Sequence, residues 1–386
     1  MIPYGRQSIS QDDIDAVVSV LNSDFLTQGP VVPSFESAVK KIVESKFAIA
    51  VNSATSALHL ACLSLGVGKG DLVWTSAITF VASANCALYC GASVDFIDID
   101  ARTYNLCVNS LEEKLVKAKK TGKLPKVVIP VHLCGQSCDM ERIYQLSLKY
   151  GFKIIEDASH SIGGSYYENP IGSCKFSHVS VFSFHPVKII TSAEGGMCTT
   201  NDPVLAKKIS LLRTHGITRD QKELVNNSEG PWYYEQISLG LNYRMTDLQA
   251  ALGLSQLDRL EQFISRRNLI ANRYIDDFNN SKIIFQKVIE NTLSAYHLFV
   301  IQIEEIDAAR SKKEIFEELI EMGINVNLHY IPVYRHPYYQ SLKTFKFGDF
   351  PNAEKYYSTA ISIPIFPDLD EKDRLHISNS VLSLVS

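Results

Sequence analysis

The chain has 386 residues, of which 46% are hydrophobic and 21% are charged, and its formal net charge is -4 at pH 7. These values are typical of a globular protein with enough residues for one large domain and a smaller one. The nearly balanced charge gives no reason to expect nucleic acid or an acidic membrane surface as a partner.

Short apolar runs alternate with helical patterns in the first half of the chain. The predicted strands are residues 47–51, 73–76, 94–98, 126–131, 152–156 and 179–183, and residues 54–65 are the first predicted helix between them. Such an alternation predicts an α/β fold with a mostly parallel sheet covered on both faces. Residues 72–94 carry no charge, but the polar residues among them favour a strand and a buried helix over a membrane helix.

The second half of the chain predicts a change of domain. Residues 222–232 are polar and end in Gly230-Pro231, which indicates an exposed loop. A long helical pattern after Thr246 is expected to carry the chain out of the large domain. We therefore predict a large domain with an N-terminal arm at residues 1–255 and a smaller α/β domain at residues 256–386. A helix at 312–322 and strands near 295–303 and 361–363 are expected in the smaller domain.

The cysteine pattern indicates the compartment. Eight cysteines are scattered along the chain without a pair of Cys-x-x-Cys motifs, so no metal site is expected. Residues 1–6 lack the apolar stretch of a secretory signal. We therefore expect free thiols and a cytoplasmic protein.

Asp157 ends the predicted strand that precedes Ala158-Ser159-His160. An acidic residue at the carboxyl end of a buried strand faces the crevice where open α/β sheets bind ligands. In that crevice, a carboxylate would keep a pyridine nitrogen protonated, because an opposite charge favours the charged form. The alternative is a helix cap at a strand-to-helix turn.

Lys188 lies about thirty residues further along, beside Val187, Ile189 and Ile190. Apolar surroundings lower the pKa of an amine and make it a better nucleophile and base. The alternative is a solvated lysine whose stem covers apolar surface. An amine that can bind an aldehyde and a carboxylate for a ring nitrogen are the two groups that a pyridoxal 5'-phosphate (PLP) enzyme most needs.

Two further segments could bind a phosphate, and a third could allow close backbone packing. Residues 52–58 form a strand-to-helix turn, where free N–H groups and the hydroxyls of Thr55 and Ser56 favour an anion. A helix cap with nothing bound is the alternative there. Ser183, at a strand end, could add another hydroxyl. Gly195 and Gly196 would permit a close approach of the backbone.

Several aromatic and histidine side chains have two open interpretations. Phe80 could stack on a cofactor ring or belong to the core. His160 could bond the phenolic oxygen of the cofactor, or act as a cap or core histidine. His329 and Tyr330, in an aromatic cluster, could form a platform for a sugar or belong to the core of the smaller domain.

Motifs spread from one end of the chain to the other give a more specific signal. They lie at residues 3–5, 26–30, 52–58, 156–158, 182–188, 194–197, 241–245, 249–253 and 329–332. Together they resemble the DegT/DnrJ/EryC1/StrS family of PLP-dependent sugar aminotransferases. The resemblance implies a type I aminotransferase fold and a homodimer with shared active sites.

The resemblance also implies roles for individual residues. Lys188 would bind the cofactor covalently, Asp157 would meet the pyridine nitrogen and Phe80 would stack on the ring. His160, where relatives often carry Gln, would contact the ring oxygen. The remaining assignments are phosphate contacts for Thr55, Ser56 and Ser183, a contact of Asn242 with the phosphate of the partner subunit, and a sugar-nucleotide site lined by Tyr4, His329 and Tyr330.

Within the family, residues 73–86 and 185–191 look most like the C4 aminotransferases of pseudaminic acid synthesis. Such enzymes act on a UDP-4-keto-6-deoxy-N-acetylhexosamine, and L-glutamate is the expected amino donor. A C3 aminotransferase, a PLP-dependent sugar dehydratase and a non-catalytic PLP-binding regulator stay open. Some relatives are dehydratases with His in place of the cofactor-binding lysine, so Lys188 favours transamination. No Gly-x-Gly-x-x-Gly follows the first strand, so a nicotinamide oxidoreductase fits poorly.

Overall fold

The computed structural model of the protein describes residues 1–303, 311–342 and 344–385. Its helices are α1 (Gln11–Leu21), α2 (Val31–Ile42), α3 (Ala54–Ser64), α4 (Ala82–Tyr89), α5 (Val108–Thr121), α6 (Met140–Tyr150), α7 (Pro203–Leu212), α8 (Asp247–Leu257), α9 (Leu260–Phe278), α10 (Lys312–Glu321), α11 (Pro337–Ser341), α12 (Pro351–Thr359) and α13 (Glu371–Val385).

The strands are β1 (Phe47–Val51), β2 (Leu72–Ser76), β3 (Ser93–Ile97), β4 (Val127–Ile129), β5 (Lys153–Asp157), β6 (Ser165–Tyr166), β7 (Asn169–Pro170), β8 (Val179–Ser183), β9 (Gly196–Thr200), β10 (Ile217–Thr218), β11 (Glu235–Gln236), β12 (Ile283–Phe285), β13 (Thr292–Leu293), β14 (Phe299–Ile303) and β15 (Ala360–Ile363).

The central sheet has the strand order β1-β9-β8-β5-β4-β2-β3. The pairs among β8, β5, β4, β2 and β3 are parallel, and β9 pairs with β1 and β8 in the antiparallel direction. The prediction of a mostly parallel sheet is thus confirmed. The antiparallel insertion of β9 was not predicted.

Both faces of this sheet are buried, because successive residues of a strand point to opposite sides. In β2, Val73 packs with residues of α3 and α4, whereas Trp74 packs with residues of α5 and α6. Residues 72–94 therefore form a strand, a buried helix and the start of the next strand, as predicted. Within the described ranges, no helix is long and apolar enough to cross a membrane.

A second, antiparallel sheet of β12, β14 and β15 packs with α10 and α13 around its own core. The expected helix at 312–322 and strands near 295–303 and 361–363 appear as α10, β14 and β15. The helical pattern after Thr246 divides into α8 and α9. Phe263 in the first half of α9 packs into the large core and Tyr274 in the second half packs into the small one. The boundary between residues 255 and 256 therefore stays a prediction.

The N-terminal arm crosses to the smaller core. Ile2 forms a parallel bridge with Ile324. The main-chain N–H of Ile2 donates to the carbonyl of Gly323 at 2.7 Å, and the carbonyl of Ile2 accepts the main-chain N–H of Asn325 at 2.8 Å. This pairing brings Tyr4 beside His329, where the two ring centroids are 5.4 Å apart.

Helix α1 is fixed to α8 through the buried carboxylate of Asp13, which also completes the capping box of α1. Four groups donate to this carboxylate: the main-chain N–H of Ser10 (2.9 Å), the hydroxyl of Ser255 (2.6 Å), the amide of Gln256 (2.7 Å) and the guanidinium of Arg259. Burial by itself raises the pKa of Asp13, but these donors outweigh it and hold the pKa below the ordinary value of 3.8.

We predict that Asp13→Asn lowers the free energy of unfolding by about 1.5–3 kcal/mol at pH 7, the range for a hydrogen-bonded charged group. A carboxyl with a lowered pKa stabilises the fold above its unfolded pKa, and this contribution is lost as the pH falls through its folded pKa. The difference between wild type and variant should therefore shrink below about pH 5.

Urea unfolding at several pH values, followed by circular dichroism, measures this difference. Asp12→Asn, which changes the exposed neighbour in the same helical turn, is the matched control. Equal losses in the two variants, or a loss at Asp13 that does not depend on pH, would contradict the prediction.

Candidate active site

A cavity of about 380 Å³ lies at the carboxyl ends of the parallel strands. Asp157 and Ser183 are the last residues of β5 and β8, and Thr79 and Val131 follow β2 and β4. Because the carboxyl ends of parallel strands meet at one edge, four separate segments converge on one space.

Lys188 lies in the loop between β8 and β9, where its main-chain N–H bonds the carbonyl of His185 at 2.9 Å. Its half-buried side chain lines the cavity. Burial lowers the pKa of the Lys188 amine from 10.5 to about 8, although the nearby carboxylate of Asp157 acts in the opposite direction. The amine can therefore gain or lose a proton close to neutral pH.

Both carboxylate oxygens of Asp157 accept hydrogen bonds. Ser83 donates to Oδ2 at 2.6 Å, and the main-chain N–H of Ser159 donates to Oδ1 at 3.1 Å. Thr79 is 2.8 Å from the Ser83 hydroxyl and extends this network. Residues 158–164 form turns and the next helix begins at Pro203, so Asp157 does not cap a helix.

The turn before α3 forms another wall of the cavity. Ser53 is the N-cap of α3, and its side chain accepts the main-chain N–H of Ser56 at 3.1 Å. Thr55 lines the cavity, and so do Ser53 and Ala54. The contact of Thr55 with a phosphate stays a prediction. The Ser56 side chain is instead occupied in the turn, where it donates to Asn52 Oδ1 at 2.6 Å.

Glycine at position 196 allows β9 to pass against this turn. A Cβ atom on Gly196 would lie only 2.5 Å from the carbonyl group of Ser53 and 2.6 Å from the nitrogen of Ala54. The close backbone approach expected of this glycine is thus present, and it sets the start of β9 directly against the start of α3.

Phe80 is 56% exposed and lines the cavity, so its ring is free to contact a ligand. The nearest aromatic neighbour is Tyr330, whose ring centroid is 6.0 Å away.

The smaller domain also contributes His329, which bonds Ser362 through Nδ1 at 2.9 Å. Burial, and then the positive charge of Lys188, lower the pKa of His329 to about 3. This imidazole is therefore neutral at pH 7.

His160 is buried and lines the cavity. Its Nδ1 accepts the main-chain N–H of Cys134 at 3.3 Å, and its Nε2 is 3.2 Å from the hydroxyl of Tyr330. Burial, followed by the charge of Lys188, holds the pKa of His160 well below its ordinary value. In Tyr330, by contrast, burial raises the pKa of the phenol, and the negative charge of Asp157 adds to this effect.

Not every predicted residue lies in the cavity of this single chain. Asn242 is exposed, and its main chain forms an isolated antiparallel β-bridge with Thr214. Its contact with a partner subunit stays a prediction. Other lining residues were not predicted, and they include Ser53, Thr79, Glu194 and His297. The hydroxyls of Thr79 and Ser83 interrupt an otherwise apolar segment, which is a signal that the sequence offered. His297 lies in no local motif.

The polar groups of the cavity match the parts of PLP. An amine of lowered pKa suits an aldehyde, a fixed carboxylate suits a ring nitrogen, and a helix N-terminus with hydroxyls suits a phosphate. Phe80 offers an exposed ring for stacking. No cluster of three or more possible metal ligands occurs in the part of the chain that the structure describes.

Solved aminotransferase structures share this fold. Helicobacter pylori PseC, an aminotransferase involved in the biosynthesis of pseudoaminic acid, has a TM-score of 0.89 and 32% identity, covering 100% of this chain and 99% of that one. Spr1654 from Streptococcus pneumoniae, in its PMP form, has a TM-score of 0.90 and 30% identity, covering 100% and 99%. A PLP form of Spr1654 has also been solved.

Sequence comparison gives the same relationship. The UDP-4-amino-4,6-dideoxy-N-acetyl-beta-L-altrosamine transaminase of Campylobacter jejuni is 37% identical, covering 100% of this chain and 98% of the relative. The model of the DegT/DnrJ/EryC1/StrS aminotransferase family matches residues 7–382. The chain therefore belongs to the DegT/DnrJ/EryC1/StrS aminotransferase family.

Proposed function

We propose that the chain is a PLP-dependent aminotransferase that transfers an amino group from L-glutamate to C4 of a UDP-4-keto-6-deoxy-N-acetylhexosamine in pseudaminic acid synthesis. The observation that carries the proposal is a single cavity in which the amine of Lys188 has a lowered pKa near the carboxylate of Asp157. Membership of the family and the names of the relatives support a sugar nucleotide as the substrate.

The residues of the cavity would hold different parts of PLP. The N-terminus of α3, together with Ser53, Thr55 and Ser183, would bind the phosphate through N–H and hydroxyl donors. Phe80 would stack on the ring. The carboxylate of Asp157, held by two donors, would keep a proton on the ring nitrogen. The assignments of Ser56 to the phosphate and of His160 to the ring oxygen stay predictions.

Lys188 would have two roles, covalent attachment of the cofactor and transfer of protons. When bound, PLP supplies an electron-withdrawing ring that stabilises negative charge on the substrate carbon. Because its pKa is about 8, the Nζ atom of Lys188 can take up a proton and return it near neutral pH. The neighbouring carboxylate of Asp157 favours the protonated amine, so burial and charge act against each other at this atom.

The sugar nucleotide would contact the wall formed by Tyr4, His329 and Tyr330. His329 is neutral at pH 7, since its pKa is about 3. This wall therefore offers aromatic faces and hydrogen-bonding groups without a further charge beside Lys188. L-Glutamate is proposed as the donor that restores the amino group in each cycle.

The proposed assembly is a homodimer with shared active sites in the cytoplasm. In the segment that carries Asn242, the side chains of Leu239 and Trp232 are 87% and 68% exposed. A contiguous exposed apolar patch marks an interaction surface, and we propose that these side chains belong to one. Asn242 would reach the phosphate in the partner subunit from here. All eight cysteines are free thiols, which supports a reducing compartment.

We expect the wild-type protein, incubated with PLP, L-glutamate and the UDP-4-keto sugar, to form a 4-amino sugar identified by NMR. Lys188→Ala should reduce kcat by at least about 10⁴-fold, because it removes both the attachment point and the proton-transfer group. Lys175→Ala, at an exposed lysine, is the control and should retain turnover.

The same NMR assay separates the alternatives. Amino transfer at a near-wild-type rate by Lys188→Ala would refute the assignment. A product with its amino group at C3 would identify a C3 aminotransferase. A dehydrated ketosugar would identify a sugar dehydratase. Stable PLP binding by the wild type without amino transfer to any keto sugar would identify a non-catalytic regulator.

Asp157→Asn should lower kcat by about 10²-fold or more, since preorganised charge is a large part of catalysis, while PLP affinity falls only modestly. Ser83→Ala should give a smaller loss, because it removes one donor and keeps the carboxylate. Steady-state kinetics and PLP titration measure both effects. Unchanged kinetics in Asp157→Asn would contradict the role given to this carboxylate.

A further inference from the structure

A chain of hydrogen bonds enters the cavity from the loop after β4. The main-chain N–H of Cys134 points at Nδ1 of His160, with 3.3 Å between the two nitrogen atoms. Both residues are buried. A main-chain N–H can only donate, so Nδ1 of His160 must be the acceptor and carries no proton.

The position of the remaining imidazole proton follows from this contact. A neutral imidazole has one N–H, and with Nδ1 as acceptor that proton is on Nε2. The doubly protonated form is excluded, because burial and the charge of Lys188 keep the pKa of His160 well below its ordinary value. Nε2–H therefore donates to the hydroxyl oxygen of Tyr330, which is 3.2 Å away.

This bond fixes the direction of the next one. The oxygen of Tyr330 accepts from His160, so the hydroxyl hydrogen of Tyr330 has to point elsewhere. Burial raises the pKa of Tyr330, so the phenol stays protonated. Among the described residues, His160 is the only hydrogen-bond partner of this hydroxyl, and Tyr330 lines the cavity.

We propose that Tyr330 is a hydrogen-bond donor to an oxygen atom of the molecule bound in the cavity, and that Cys134 and His160 set this direction. The identity of that molecule rests on the proposed function, which offers the phenolic oxygen of PLP and the oxygens of the substrates. Tyr330 is thus a binding residue, and His160 is a positioning residue that acts through it. This proposal replaces the direct contact of His160 with the ring oxygen that the resemblance implied, because both ring nitrogens of His160 are occupied.

The direction of this series of hydrogen bonds can be reversed by a substitution at position 160. Glutamine has an amide oxygen that can accept from Cys134 and an NH₂ group that can donate to Tyr330, so it keeps the direction. An ionised glutamate carboxylate only accepts, so it would draw the hydroxyl hydrogen of Tyr330 towards itself and away from the cavity.

The tautomer of His160 is tested by ¹⁵N NMR of histidine-labelled protein without added PLP or substrate. His160→Gln identifies the resonances by their loss. We expect a protonated Nε2 and an unprotonated Nδ1 at neutral pH. A proton on Nδ1, or on both nitrogens, would overturn the proposal. This measurement needs no turnover, so its failure is distinct from a failure of the proposed aminotransferase activity.

The role of Tyr330 is tested on PLP-loaded protein with Tyr330→Phe, His160→Glu and His160→Gln. The visible absorbance of the bound cofactor reports on its ring oxygen, and the KM values for glutamate and the keto sugar report on substrate oxygens. Tyr330→Phe and His160→Glu should show the same defect, either an absorbance shift or a KM increase of roughly 10-fold. His160→Gln should show a clearly smaller defect.

A change in absorbance would assign the acceptor oxygen to PLP, and a change in KM would assign it to a substrate. The double variant His160→Glu/Tyr330→Phe should be no worse than Tyr330→Phe, because both changes remove the same donor. His376→Glu, at an exposed histidine, is the control for the added charge. The proposal is wrong if Tyr330→Phe leaves absorbance and both KM values unchanged, or if His160→Gln is as defective as His160→Glu.

Discussion

The burial of an amine and a carboxylate in one cavity is the constraint on which the site depends. Loss of hydration destabilises the charged form of Lys188, and the negative charge of Asp157 stabilises it. The result is a pKa of about 8, where the amine can change its protonation state at little cost. Asp157 keeps its position because Ser83 and the main chain at Ser159 both donate to it.

Three histidines around this pair are kept neutral. His160, His297 and His329 all have lowered pKa values, caused first by burial and then by the charge of Lys188. A cationic imidazole here would compete with Lys188 for the carboxylate of Asp157 and disfavour the charged amine further. Neutral histidines can instead serve as hydrogen-bonding groups of fixed direction, as the contacts of His160 illustrate.

The sequence predicts those parts of the site that depend on strand order along the chain. Asp157 and Ser183 end apolar runs, and the carboxyl ends of parallel strands share one edge, so their convergence on the cavity was predictable. The sequence could not predict how β9 inserts between β1 and β8, because a short strand leaves no signal of its partners. Nor could it predict that His297 reaches the cavity, since that depends on packing between distant segments.

Covalent attachment of PLP to one lysine is the central claim of this account, and borohydride reduction followed by peptide mapping tests it most directly. The reduced holoprotein should carry the cofactor on a single peptide, the one that contains Lys188. A protein that takes up no PLP, or one whose label is spread over other lysines, would contradict the account.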